Sequence, residues 1–198
     1  MRNQFTKAVA GCALAVFCLA SRAAAQAPPP AAAAGAPVSP VVTNPTYISI
    51  PMEIMVNRPA TEVWKRVGKF CDIGEWFRIP CTITYGKDGE FGAVRSVANE
   101  VLVGKTELSY TYTQPVRAGR PYNLYHGTLE ARPVTATTSK LVYTLMFDNS
   151  MLADDAAREK DIAQKTTQFT QALQNMKILA EGGTLPPAPP RGGAGRGN

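Results

Sequence analysis

Residues 70–81, FCDIGEWFRIPC, bring two thiols, a tryptophan and two acids together in twelve positions. Three chemistries use such a set: a metal site, a redox pair or a stapled loop. A structural zinc takes four Cys, His or carboxylate ligands. Besides Cys12 and Cys18 near the start, the chain offers Cys71, Cys81 and one histidine, so no metal is expected. A thioredoxin-like pair is spaced Cys-x-x-Cys, whereas nine residues separate these two. A Cys71–Cys81 disulfide is the main expectation, with two free buried thiols as the alternative.

His126 is the only histidine. In residues 122–132 one parity holds Tyr125, Gly127, Leu129 and Ala131, and the other holds Leu124, His126, Thr128, Glu130 and Arg132. The first parity reads as the inner face, which puts His126 outside and away from proton-transfer duty. Tyr110 and Tyr112 share a face of their strand, and Tyr125 and Tyr143 take the inner parity of theirs. Buried phenols hydrogen-bond a ligand while keeping a wall largely apolar, although strands favour tyrosine in any case. Arg95, Glu100 and Glu107 are charges embedded among strands. Charge is costly to bury, so surface ladders are the commoner outcome; an inward Arg95 paired with Glu100 would instead be a polar anchor. No nucleophile-base pair, phosphate loop or dinucleotide fingerprint is present, no catalytic residue is assigned and no cofactor is expected.

These residues need elements to hold them. The first 25 residues have Arg2 and Lys7, an apolar run and small residues at Ala23 and Ala25, the pattern of a secretory signal cleaved after Ala25. A lipobox-like Val9-Ala10-Gly11-Cys12 follows Lys7 too closely to be favoured. The apolar run is shorter than the roughly 20 residues that span a bilayer, so no transmembrane segment is expected in the mature protein. Export to the periplasm or beyond puts Cys71 and Cys81 where disulfides persist. It also removes Arg2, Lys7 and Arg22, lowering the formal charge from +6 to about +3. Arg191 and Arg196 lie in the tail, so the basic balance is a poor argument for nucleic acid.

Residues 26–46 form a Pro/Ala-rich spacer and 182–198 a Gly/Pro-rich basic tail, both expected to be disordered. Between them, residues 47–181 suffice for one core. YISIPMEIMV reads as a strand with Ile48, Ile50, Met52 and Ile54 on one face, and Pro51 makes it an edge or bulged strand. Pro59 opens a helix carrying Val63, Val67 and Phe70, and a helical turn covers residues 72–77. The period then changes to two for about six strands, punctuated at residues 87–89, at Gly104, and at 118–120 and 135–139. A long helix runs from Asp154 to Glu181 with Ile162, Thr166, Phe169, Leu173, Met176 and Ala180 as its apolar stripe. That order makes the class α+β, with an antiparallel meander on which the last helix lies.

The ATEVWKRV helix, the DIGEW that follows, the EFGAVR entry to the meander, the SYTYT and Y-x-G-T-L strands and the final helix together resemble the START-like (SRPBCC) superfamily, in its polyketide cyclase/dehydrase-like branch. The resemblance spans residues 48–181. It implies a helix-grip fold, in which a curved antiparallel sheet wraps the terminal helix around an apolar cavity. It also implies a hydrophobic small-molecule ligand: a lipid, sterol-like molecule, quinone or polyketide. Cavity walls would come from Tyr110, Tyr112, Tyr125, Leu129 and Tyr143 on the strands, with Phe147, and from Phe169, Leu173 and Met176 on the helix. Trp76 and Phe77 would stand at the cavity mouth in the stapled loop, as core filling or as a gate. Three functions are in play. An exported binder suits the missing catalytic machinery, a cyclase or dehydrase inherits the branch name, and an accessory protein would dock on a periplasmic enzyme. The lone histidine excludes the two-histidine-one-carboxylate iron site.

Overall fold

The computed structural model describes residue 42 and residues 44–116 and 122–187. The signal segment, nearly all of the spacer, the predicted turn at 118–120 and the tail beyond Pro187 lie outside the described residues. Ten elements follow in order: β1 Tyr47–Val56, α1 Ala60–Val67, α2 Ile73–Trp76, β2 Ile83–Tyr85, β3 Val94–Arg95, β4 Glu100–Thr106, β5 Ser109–Thr113, β6 Tyr125–Pro133, β7 Ser139–Asp148 and α3 Asp155–Ala180. The strands form one antiparallel sheet in the order β1-β7-β6-β5-β4-β3-β2. Strand β1 is therefore an edge, where Pro51 can lack an N–H without breaking an inner ladder.

Period-two burial decides which face of the sheet is inside. In β6, Tyr125, Gly127, Leu129 and Ala131 are buried and alternate with half-buried neighbours. His126 thus points outward, opposite Thr113 and Met146, and partial burial holds its pKa below the ordinary value. Helix α3 lies on the inner face with Phe169, Leu173 and Met176 buried, as the stripe predicts. Asp154 caps it by accepting from the Ala157 N–H at 2.8 Å. At its far end Gly182 sits at φ 88, with Gly182 N–H on the Leu179 carbonyl and Gly183 N–H on that of Ile178, a Schellman stop that turns the chain back. No helix among the described residues is long and apolar enough to cross a membrane.

Gly104 does not end a strand. It marks an irregularity inside β4 where the register to β5 shifts, and the turn falls at Glu107 and Leu108. An added Cβ would meet Thr111 Cβ at 3.3 Å, so close strand approach, rather than a turn, explains this glycine.

Cys71 and Cys81 are joined, with Cα atoms 5.6 Å apart. The bond closes the loop that carries α2 and leads into β2, a strand of only three residues. Restricting a loop of this length in the unfolded chain stabilises by about 3 kcal/mol. The double variant Cys71→Ser, Cys81→Ser is expected to lose about that much stability in urea unfolding. A loss near zero would show that the loop is held by packing alone.

Candidate functional site

Arg95 ends β3 and Glu100 opens β4, and the register sets them directly opposite one another. The turn between them closes with Glu100 N–H on the Val97 carbonyl, and it places Ala98 and Asn99 at φ 49 and 53. Such positive angles are those of a tight primed turn, and they keep the pair in register. Both side chains point inward: Arg95 is 0 % and Glu100 3 % exposed. The expectation of surface ladders therefore fails for this pair, while Glu107 is exposed. Arg95 escapes the cost of burial because its surroundings replace water.

Arg95 Nε donates to Glu100 Oε2 at 2.6 Å, and Nη1 donates to the Phe70 carbonyl at 2.5 Å. Nη2 also lies 2.6 Å from Oε2 but out of line for a hydrogen bond. Gln114 Nε2 donates to the other Glu100 oxygen at 2.9 Å. The Arg95 guanidinium carbon sits 4.3 Å from the Phe70 ring centroid and 4.7 Å from that of Tyr112. Desolvated cation–π contacts of this kind contribute about 2 kcal/mol each. Tyr112 in turn accepts from the Tyr143 hydroxyl at 3.0 Å, and Tyr143 packs on Phe169 at 4.7 Å. Gly127 lets Tyr112 lie against β6, since a Cβ there would fall 2.4 Å from the ring.

Burial alone would lower the Arg95 pKa, but Tyr110, Glu100 and the other phenols around it raise it, so Arg95 stays charged. Burial raises the Glu100 carboxyl, opposed by Arg95 and Gln114. Burial also raises Tyr110, and pushes Tyr112 and Tyr143 well above the ordinary phenol value. These phenols are neutral hydrogen-bonding groups, not bases, at physiological pH.

Tyr110, Tyr112, Tyr125, Leu129, Tyr143, Phe147, Phe169, Leu173 and Met176 all face the common interior between sheet and α3. Leu129, Tyr143, Phe147 and Met176 are 0 % exposed and belong to one buried core cluster. Two clefts open at the margins of this packing. The first, about 620 Å³, lies between α1, the residues around Asp88 and the β4–β5 hairpin. Its apolar surface comes from Trp64, Phe70, Leu102 and Tyr110, and Lys65, Lys69 and Lys105 also line it. The Tyr110 hydroxyl is buried with no hydrogen-bond partner among the described residues. The second, about 530 Å³, lies beside Trp76 and Phe77 on the flank of α3.

Sequence reasoning missed Trp64, Leu102 and the lysines of the first cleft, because they come from α1 and from strands far along the chain. It also missed a clasp on α3. Lys165 Nζ donates to the Tyr122 hydroxyl and, at 2.5 Å, to Asp161 Oδ1, and it lies 4.4 Å from the Tyr122 and 5.0 Å from the Phe147 ring centroid. Burial, then the Asp161 carboxylate, raises the Tyr122 phenol. The i,i+4 spacing of Asp161 and Lys165 was the available signal.

No family model matches the chain, and no curated protein matches it. Solved structures do. The chain is similar to a protein from Nitrosospira multiformis at 22 % identity, covering 66 % of this chain and 94 % of that one with TM-score 0.53. It is similar to XoxI from Bacillus cereus at 20 % identity, covering 65 % and 92 % with TM-score 0.54. It is also similar to the Zhui aromatase/cyclase from Streptomyces sp. R1128 at 19 % identity, covering 70 % and 100 % with TM-score 0.53. The chain has the START-like helix-grip fold. Among the described residues, the Arg95–Glu100 pair is buried in the interior and two clefts lie at its margins.

The pair makes a pH-dependent prediction. A carboxyl raised by burial binds its proton more tightly folded than unfolded, so its contribution is complete below the unfolded pKa and is lost as pH rises through the folded value. Arg95→Met removes the cation that opposes this shift and costs about 3–5 kcal/mol near neutral pH. Urea unfolding is expected to show stability falling with rising pH above the ordinary carboxylate range, more steeply in Arg95→Met than in the parent. The double variant Arg95→Met, Glu100→Gln removes that extra slope. Parallel curves for the parent and Arg95→Met would show that the pair is not electrostatically coupled.

Proposed function

We propose that this is an exported START-like protein that binds an apolar small molecule, with the cleft between α1 and the β4–β5 hairpin as its contact site. The observation that carries this reading is the cleft itself. At about 620 Å³ it falls within the roughly 300–1,000 Å³ of small-molecule sites. Aromatic and aliphatic side chains supply an apolar wall, and Lys65, Lys69 and Lys105 add charged groups to the lining. The signal-like start of the chain supports a periplasmic or secreted place of action.

A second reading is an aromatase/cyclase-type enzyme, favoured by the buried Arg95–Glu100–tyrosine cluster and by the fold shared with the Zhui protein. Its difficulty is physical. Arg95 is spent on Glu100 and the Phe70 carbonyl, the neighbouring phenols stay protonated, and a substrate reaches them only if the packed interior opens. A binder needs no such opening.

The test is mass spectrometry of an organic extract from the exported, detergent-free protein. A lipid-like, sterol-like or quinone-like molecule at near-stoichiometric amount is expected, and Leu102→Trp, which fills the cleft, is expected to lose it while retaining the parent circular dichroism. An empty extract from well-folded protein overturns the reading and favours an accessory protein that docks on a partner.

A further inference from the structure

The cleft beside α1 carries charges that a purely apolar ligand leaves without a use. Its apolar members lie deep: Phe70, Leu102 and Tyr110 are buried and Trp64 is half-buried, whereas Lys65, Lys69 and Lys105 are exposed. A buried apolar floor under an exposed cationic rim is amphipathic, and the molecule that matches it is amphipathic too.

Among the described residues no ion pair reaches Lys65, Lys69 or Lys105, although neighbouring cations are paired, Arg66 to Glu75 at 2.7 Å and Lys87 to Glu90 at 3.9 Å. Two carboxylates share the lining, Asp88 and Glu107. Asp88 turns one oxygen to the Phe70 N–H at 3.0 Å. The hydroxyls of Thr106 and Ser109 bond one another at 2.7 Å. Of the charged and hydroxyl groups that line the cleft, the three ammoniums are thus the donors left for a ligand's head. The last turn of a helix favours a cation in any case, which accounts for Lys65. It does not account for Lys105, which comes from β4. Lys105 is also held in place: its Nζ donates to the Gly89 carbonyl at 2.6 Å, which leaves two of an ammonium's three N–H groups to bond elsewhere.

We propose that this cleft takes an amphiphile with an anionic head, a fatty-acid-like carboxylate, whose chain lies on Trp64, Phe70, Leu102 and Tyr110 and whose head meets the lysines at the rim. The inference rests on the cleft being a small-molecule site and adds the charge of its ligand. The chain supplies most of the affinity, by burial against the floor. The lysines supply the discrimination, and because they are exposed their attraction is modest and screened by salt. A neutral molecule of the same length covers the floor but leaves the rim unused.

Decanoate and decanol share a chain length and differ in the charge of the head. Each is titrated into the protein, purified without detergent and passed over a lipophilic resin, and followed by the NMR signals of the Leu102 methyls and the Trp64 indole. Both probes are expected to shift those signals. Decanoate is expected to bind about tenfold tighter than decanol at low ionic strength, and the ratio to fall towards one in about 1 M salt. The triple variant Lys65→Gln, Lys69→Gln, Lys105→Gln is expected to lose that ratio. Decanol binding as tightly as decanoate or more tightly, or a ratio that the triple variant retains, overturns the anionic head and leaves the cleft as a neutral apolar site. No shift at Leu102 or Trp64 with either probe overturns the cleft as a ligand site, and this inference with it.

Discussion

The guanidinium of Arg95 is the fixed point on which the weaker half of the sheet depends. Strands β2 and β3 have three and two residues, too few to hold themselves by ladder bonds alone. Arg95 joins β3 to β4 through Glu100, to the segment after α1 through the Phe70 carbonyl, and to β5 through the faces of Tyr112 and, at 5.9 Å, Tyr110. One residue after Phe70 the disulfide begins, and it ends at Cys81, just before β2. Ionic and covalent ties thus meet at residues 70–71. A buried pair is weak evidence for added stability against an apolar equivalent, but it rewards only one arrangement of its neighbours.

That constraint shapes what the fold has to offer a ligand. The rings that stack around Arg95 include Phe70 and Tyr110, and the same two rings line the cleft beside α1. A molecule in the cleft touches the charged pair only through those rings. The helix-grip interior, by contrast, is taken up by Tyr112, Tyr143, Phe169 and their neighbours, which contact one another. The clefts lie at the edge of the sheet, and the charged pair forms part of the packed wall behind one of them.

Much of this was legible in the sequence where a periodic pattern stood behind it. The stripe of α3, the inner parity of β6 and the edge position of β1 at Pro51 follow from alternation and from what proline lacks. The burial of Arg95 and Glu100 was not legible. Charges at alternating positions look the same on either face, and only the Phe70 carbonyl and two rings from distant segments make the inner face affordable for them. Gly104 misled because a glycine demanded by strand approach reads like one demanded by a turn. The cleft was invisible for a different reason. Trp64, Leu102 and Tyr110 become neighbours only when the meander folds over α1, which no local spacing records.

A crystal structure of the protein purified without detergent, with any co-purified small molecule in place, decides between the cleft and the helix-grip interior as the binding site. Binding at the cleft puts that molecule between α1 and the β4–β5 hairpin, against Trp64 and Leu102, with the Arg95–Glu100 pair intact behind Phe70 and Tyr110. A molecule lying under α3, with Tyr112 and Tyr143 parted and Arg95 turned from Glu100 to the ligand, would contradict it.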